Sequence, residues 1–233
     1  IVITGKVVGV ETGRVYVKQV CGKQTEELLP LVEGVGREII SMIKSHREAL
    51  CAPGMAQDRE TLMAELVESL KGKELPRIAI SVGERHHGEL VGDPAAETEL
   101  MFWFNKCGFP VIAAEQARPR LAEWTRAYYR QQNGLVQEAP TRCPLGKDVD
   151  VVIVGEAFSE FAAQVGPLTC CQVRIEVRAL ERESGRVIAI SRRTGTAVDV
   201  GERIAAKQGL QDAAASVAYE MIQQLAVLVP PQA

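Results

Sequence analysis

Five side chains capable of acid–base or metal chemistry crowd one stretch, GERHHGELVGD at residues 83–93: Glu84, His86, His87, Glu89 and Asp93. Imidazoles beside carboxylates form a common donor set for zinc and similar ions. A loop following a strand also lies where ligands bind in α/β sheets. His86, His87, Glu89 and Asp93 are therefore candidate ligand or partner contacts. Against a metal stands the adjacency of the histidines, because neighbours in an extended segment point to opposite sides. The sequence assigns no metal and no cofactor, and the first reading of residues 83–93 is a solvated loop.

Other reactive residues are weaker candidates. Ser159 stands in GEAFSE rather than G-x-S-x-G, so no nucleophile elbow is present. Gly83, Gly88 and Gly92 do not spell a phosphate loop. The chain has six cysteines and no C-x-x-C pair. Cys107–Cys143 is the disulfide to test first, and buried free thiols fit equally well. On a strand, Cys170 and Cys171 face opposite sides, one of them toward a core. MFWF at 101–104, Trp124, Tyr128 and Tyr129 have helical spacing and read as core, with exposed members as partner anchors. Arg182, Arg186, Arg192 and Arg193 give the hairpin RESGR…SRR a basic, exposed end and are candidate interaction residues. No nucleophile, base and orienting group can be assembled, so no catalytic residue is assigned.

Composition narrows the classes. At 233 residues the chain has room for one large or two small domains. Net charge is −3 with lysines and arginines scattered, which argues against nucleic acid. No apolar run reaches the roughly 18–20 residues of a membrane helix, so no integral membrane span is expected. The chain begins at Ile1 inside an apparent strand, which reads as a leader already removed.

Residues 1–20 alternate as two strands around Thr12-Gly13. From Thr25, a candidate N-cap, to about Ala49 the pattern is helical, with Leu28, Leu31, Val32, Val35, Ile39, Met42 and Ile43 on one face. CAPGM at 51–55 is the best candidate boundary, and a second helix runs from Asp58 to Lys71. RIAISV is a short strand, 95–108 a helix stopped by Gly108, FPVIAA a strand and 117–134 a helix. Residues 135–147 form an irregular connection. Residues 148–158 and 171–181 are strands, the second placing Cys171, Val173, Ile175, Val177 and Ala179 on one side. The chain returns through RVIAIS and ends in a helix over about 201–228, with Leu210, Ala214, Val217, Met221 and Leu225 in one stripe.

This order predicts an α/β fold with an α+β tendency. A mixed sheet with an antiparallel C-terminal meander is flanked by helices, and an N-terminal hairpin-helix module precedes it. The expected division is a module over 1–50, a linker and helix over 51–75, and an α/β domain over 76–233. The module repeats the end of the larger domain: ETGR at 11–14 matches ESGR at 183–186, each followed by an amphipathic helix. This reads as a duplicated hairpin-helix unit, or as the chance likeness of two such patterns.

The stretch 76–226 resembles a family. Gly108-Phe109-Pro110-Val111, Asp150-Val151-Val152-Ile153-Val154-Gly155 and Ser184-Gly185-Arg186-Val187 occur in the order of the periplasmic α/β domain of the curli-secretion CsgG, TolB N-terminal and flagellar assembly protein T (FlgT) proteins. That resemblance implies a non-catalytic periplasmic or outer-membrane-associated assembly protein with protein partners, a homo-oligomer among the options. The charged hairpin 171–191 is unsuited to a lipid face, which disfavours a pore. The alternative is a small-ligand or metal-binding module using 83–93, and an uncharacterised hydrolase comes third.

Overall fold

A computed structural model describes residues 1–9, 13–23, 28–50, 59–112, 121, 123–124, 127, 130 and 145–228. The chain opens with an antiparallel hairpin, β1 (Val2–Val8) and β2 (Val15–Cys21). Helix α1 (Leu28–Ser45) packs on it, followed by the short α2 (Arg47–Leu50). Of the expected apolar face, Leu31, Val35 and Met42 are buried, but Leu28, Val32 and Ile43 are exposed. The reason is width: two strands cover a narrower stripe of helix than the sequence made apolar. Gly5 permits the close approach, since a Cβ there would stand 2.6 Å from Ile39 Cδ1. The expected N-cap at Thr25 and the break at 51–55 lie outside the described residues.

The larger unit begins with α3 (Arg59–Leu70) and continues through β3 (Ile78–His86), β4 (Glu89–Leu90) and α4 (Ala95–Lys106). Three long strands follow, β5 (Val151–Val165), β6 (Leu168–Glu181) and β7 (Val187–Asp199), then α5 (Glu202–Leu228). The sheet order is β4-β3-β5-β6-β7, with β3 parallel to β5 and the other pairs antiparallel. The fold is α/β with a mixed sheet and an antiparallel meander, as the element order predicts. The strand expected at FPVIAA is a single bridge, Ile78 to Val111, before the chain leaves the described residues. Leu121, Glu123, Trp124, Ala127 and Arg130 are helical, within the helix expected over 117–134.

Alternation decides which face meets which layer. Ile78, Ile80 and Val82 of β3 join Val151, Ile153 and Ala157 of β5 and Val173, Ile175, Val177 and Ala179 of β6 in the main core. Helices α3, α4 and α5 close that core, with Leu210, Ala214, Val217, Met221 and Leu225 of α5 at 0–1% exposure. Fully burying one such side chain contributes about 1.5–3 kcal/mol, so this stripe fixes α5 to the sheet. At Gly209, a Cβ would meet Val173 Cγ1 at 2.9 Å, which shows how closely α5 lies on β6. On the reverse face, among the described residues, Leu121 and Trp124 pack with Ala79, Val149, Val152, Val154 and Leu180.

The described residues around the two matching tetrapeptides make the same hydrogen bonds. Gly9 N donates to Arg14 O at 2.9 Å, and Glu181 N donates to Arg186 O at 2.9 Å. Gly13 N reaches Gly9 O at 2.7 Å, and Gly185 N reaches Glu181 O at 2.8 Å. Gly13 (φ 64°) and Gly185 (φ 66°) occupy the left-handed position that closes each turn.

Candidate functional site

Residues 83–93 are not the loop that composition suggests. β3 runs on through His86, because β5 is long enough to keep pairing with it as far as His86 opposite Ser159. The chain then reverses over His87-Gly88 and returns as β4, with His86 opposite Glu89. Both turn residues have positive φ, 50° at His87 and 83° at Gly88, as a type I′ two-residue hairpin requires.

That turn overrides the rule that adjacent histidines diverge. His86 lies on the face of β3 that carries Ile80 and Val82, so alternation aims it toward the start of α5. His87 leaves the extended conformation, and its ring comes round to the same place. The ring centroids are 4.4 Å apart. Both rings meet Glu202, in the first turn of α5: His87 Nε2 lies 2.5 Å from Glu202 Oε1, and His86 Nε2 lies 3.4 Å from the same oxygen. His86 Nδ1 lies 2.9 Å from Ser159 Oγ, and Ser159 is 1% exposed. The neighbouring imidazoles hold the Glu202 carboxyl below the usual carboxylate range, the His87 contact counting most.

The other candidates disperse. Glu89 is exposed on β4, and Asp93 forms an ion pair with Lys207 of α5. Glu84, 3% exposed, accepts a bond from Ala96 N at 2.9 Å and so caps α4, whose Pro94 has no capping side chain. Burial pushes its carboxyl above the usual range, partly opposed by the amides of Ala96 and Ala95. From α4, Glu97 accepts from Val82 N at 2.9 Å. These two acids join helix to strand and are not presented to a substrate.

The four arginines do not form one patch. Arg182 and Arg186 flank the β6–β7 turn, paired with Glu183 and Glu181. Arg193 reaches Glu220 of α5, while Arg192, one residue before it on the strand, faces the opposite side. Cys107 carries a free buried thiol, and its proposed partner Cys143 lies outside the described residues. Burial pushes the thiols of Cys107 and Cys171 up to about 11.

Sequence reasoning missed Glu202 and Ser159 as site members. For Ser159 there was a signal, a hydroxyl two residues after Ala157 on the core side of a buried strand. Glu202 gave only the ordinary mark of an acid opening a helix. As chemistry, the cluster offers two imidazole nitrogens and a carboxylate. Acyl transfer does not fit it, because the hydroxyl is buried and held on His86.

No protein-family model and no curated protein matches the chain. Among solved structures it is similar to lipoprotein GNA1162 from Neisseria meningitidis, at 11% identity over 55% of this chain and 86% of that one, with a TM-score of 0.35. It is similar to the LpoB C-terminal domain from Salmonella enterica, at 16% identity over 58% and 93%, with a TM-score of 0.27. A third is a minor lipoprotein from Acinetobacter baumannii, at 10% identity over 66% and 96%, with a TM-score of 0.36. These findings correct the resemblance drawn from the sequence: the neighbours named here are two lipoproteins and the LpoB C-terminal domain, not CsgG, TolB or FlgT proteins. The flagellar and secretion roles implied by that resemblance go with it. Among the described residues, no helix is long and apolar enough to cross a membrane.

Proposed function

We propose that the protein is a non-catalytic component of a bacterial cell-envelope assembly that associates with further copies of itself through the face of the β5–β6–β7 meander that the described residues leave open. One observation carries this reading. Beyond the part covered by Leu121 and Trp124, that face shows Glu156 and Glu160 on β5, exposed, and Arg174 and Arg178 on β6, half-buried. Arg192 follows on β7, exposed.

The ladder registers Glu156 with Glu176 and Glu176 with Arg192 across neighbouring strands, so β5 presents acids and β7 a base, with Glu176 and Arg174 of β6 paired to each other between them. Two copies related by a two-fold axis along β6 would set Glu156 of each against Arg192 of the other. Such complementarity specifies a partner and its register. The solved structures named above are alike in fold alone, so the compartment is part of the proposal. Cell fractionation of the full-length gene product tests it directly.

Sedimentation velocity tests the association. The native chain should self-associate more weakly as salt rises, because Glu156, Glu160 and Arg192 are exposed. Glu156→Lys with Glu160→Lys, and separately Arg174→Glu with Arg192→Glu, should each leave a monomer. Mixed in equal amounts, the two variants should pair. A native chain that stays monomeric, or variants that associate unchanged, would overturn the reading.

A further inference from the structure

We propose that His86, His87 and Glu202 form a transition-metal site that takes one Zn²⁺-type ion per chain, joining the β3–β4 turn to the start of α5. This is independent of self-association. The three donor atoms, one from each residue, lie within 4.8 Å of one another. A tetrahedral ion held at about 2.0–2.1 Å from nitrogen and oxygen spaces its donors about 3.3 Å apart. His86 Nε2 and Glu202 Oε1 already stand 3.4 Å apart. His87 Nε2, at 2.5 Å from the same oxygen, needs to withdraw by only about 0.8 Å. Its side chain is 48% exposed and free to make that adjustment.

Two further observations point the same way. The first is the support behind His86. Its Nδ1 lies 2.9 Å from Ser159 Oγ, on a residue buried by the sheet, and this fixes the ring with Nε2 turned toward Glu202. Metal-binding histidines usually have their second nitrogen held in this way. The second is the conformation of His87. Its φ of 50° is a position where glycine or asparagine costs less, yet an imidazole stands there and the turn delivers it to the cluster.

The donor types choose the metal. Two imidazoles and one carboxylate suit Zn²⁺, Co²⁺, Ni²⁺ or Cu²⁺, whereas Mg²⁺ and Ca²⁺ prefer all-oxygen sites. Side-chain exposures of 18% for His86 and 38% for Glu202 leave room for water as the fourth ligand. The three donors come from both ends of the larger unit, so an ion here would tether the turn to the helix.

The test uses the full chain after chelator treatment. Titration calorimetry with Zn²⁺ should show one equivalent bound per chain. Zn²⁺ should also raise the melting temperature, while Mg²⁺ should not. Co²⁺ should give the intense visible bands of a tetrahedral site. His87→Ala and Glu202→Gln should each abolish the Co²⁺ bands while the metal-free variants still melt cooperatively. Ser159→Ala, which keeps all three donors, should weaken Zn²⁺ binding by about 10–100-fold. No Zn²⁺ binding by the native chain overturns the proposal. So does equally tight binding in His87→Ala and Glu202→Gln, which would place the metal on other groups.

Discussion

His87 Nε2 lies 2.5 Å from Glu202 Oε1, although the two residues are 115 positions apart. The contact exists because a two-residue turn ends β3 just where α5 begins. Neither element carries a local mark of the other. It gives the edge hairpin a polar anchor on the helix that closes the core, beside the ion pair of Lys207 with Asp93.

Gly155 is the position where the sheet tolerates least. A Cβ there would stand 2.2 Å from Glu176 O and 2.7 Å from Val177 Cγ1. The carbonyl belongs to the ladder and cannot swing away as a side-chain tip would. Gly155→Ala should therefore cost about 3 kcal/mol in urea unfolding. A variant as stable as the native chain would show that β5 and β6 separate more easily than their register indicates.

The thiols should report folding. Cys107 and Cys171 are buried with their ionisation pushed up to about 11, whereas Cys21 is exposed. Reaction with a maleimide at mildly alkaline pH should mark Cys21 first, on the order of 100-fold faster than the other two. Peptide mapping measures this. Rates at Cys107 and Cys171 should rise with urea in step with global unfolding.

Asp150 should control part of the acid limb of stability. Arg77 donates to it from N at 2.9 Å, Nε at 3.0 Å and Nη2 at 2.8 Å, holding its carboxyl below the usual range. A depressed carboxyl stabilises the fold above its unfolded value near 3.8 and loses that contribution as pH falls through the folded value. Asp150→Asn should cost about 1 kcal/mol at neutral pH, discounted because the pair is partly exposed. The difference from the native chain should vanish in strong acid. Thermal melts across pH 2–7 read both.

Glu84 should act with the opposite sign. Its buried carboxyl titrates above the usual 4.5, so its contribution is greatest in acid and falls as pH rises through the folded value. Glu84→Gln keeps an oxygen for Ala96 N and removes the buried charge. The variant should stay within about 1 kcal/mol of the native chain at neutral pH and lose that downward slope. A much larger loss would mean that the charge on the α4 cap outweighs its burial. The same melts distinguish the two.

Much of the fold is legible in periodicity. The alternation of Cys171, Val173, Ile175, Val177 and Ala179 matches the buried side of β6, and the α5 stripe from Leu210 to Leu225 matches the buried side of that helix. α1 is legible as a helix but not in how much of its apolar face is covered, because coverage depends on the partner's width. Residues 83–90 were misread for a related reason. Charged and glycine-rich segments look like loops, yet β5 offers a free edge, and pairing with it extends β3 to His86.

Local pattern, then, marks the helices, the long strands β6 and β7, the buried stripe of α5 and the glycines that close two turns, Gly13 and Gly185. These depend on periods of 2 and 3.6 residues and on backbone freedom at single positions. Only the tertiary structure decided the cluster of His86, His87, Ser159 and Glu202. That required the sign of φ at His87, the register of β3 on β5 and the place where α5 starts. Those are properties of the packed chain, because a contact across 115 residues is set by how layers stack and not by any local pattern.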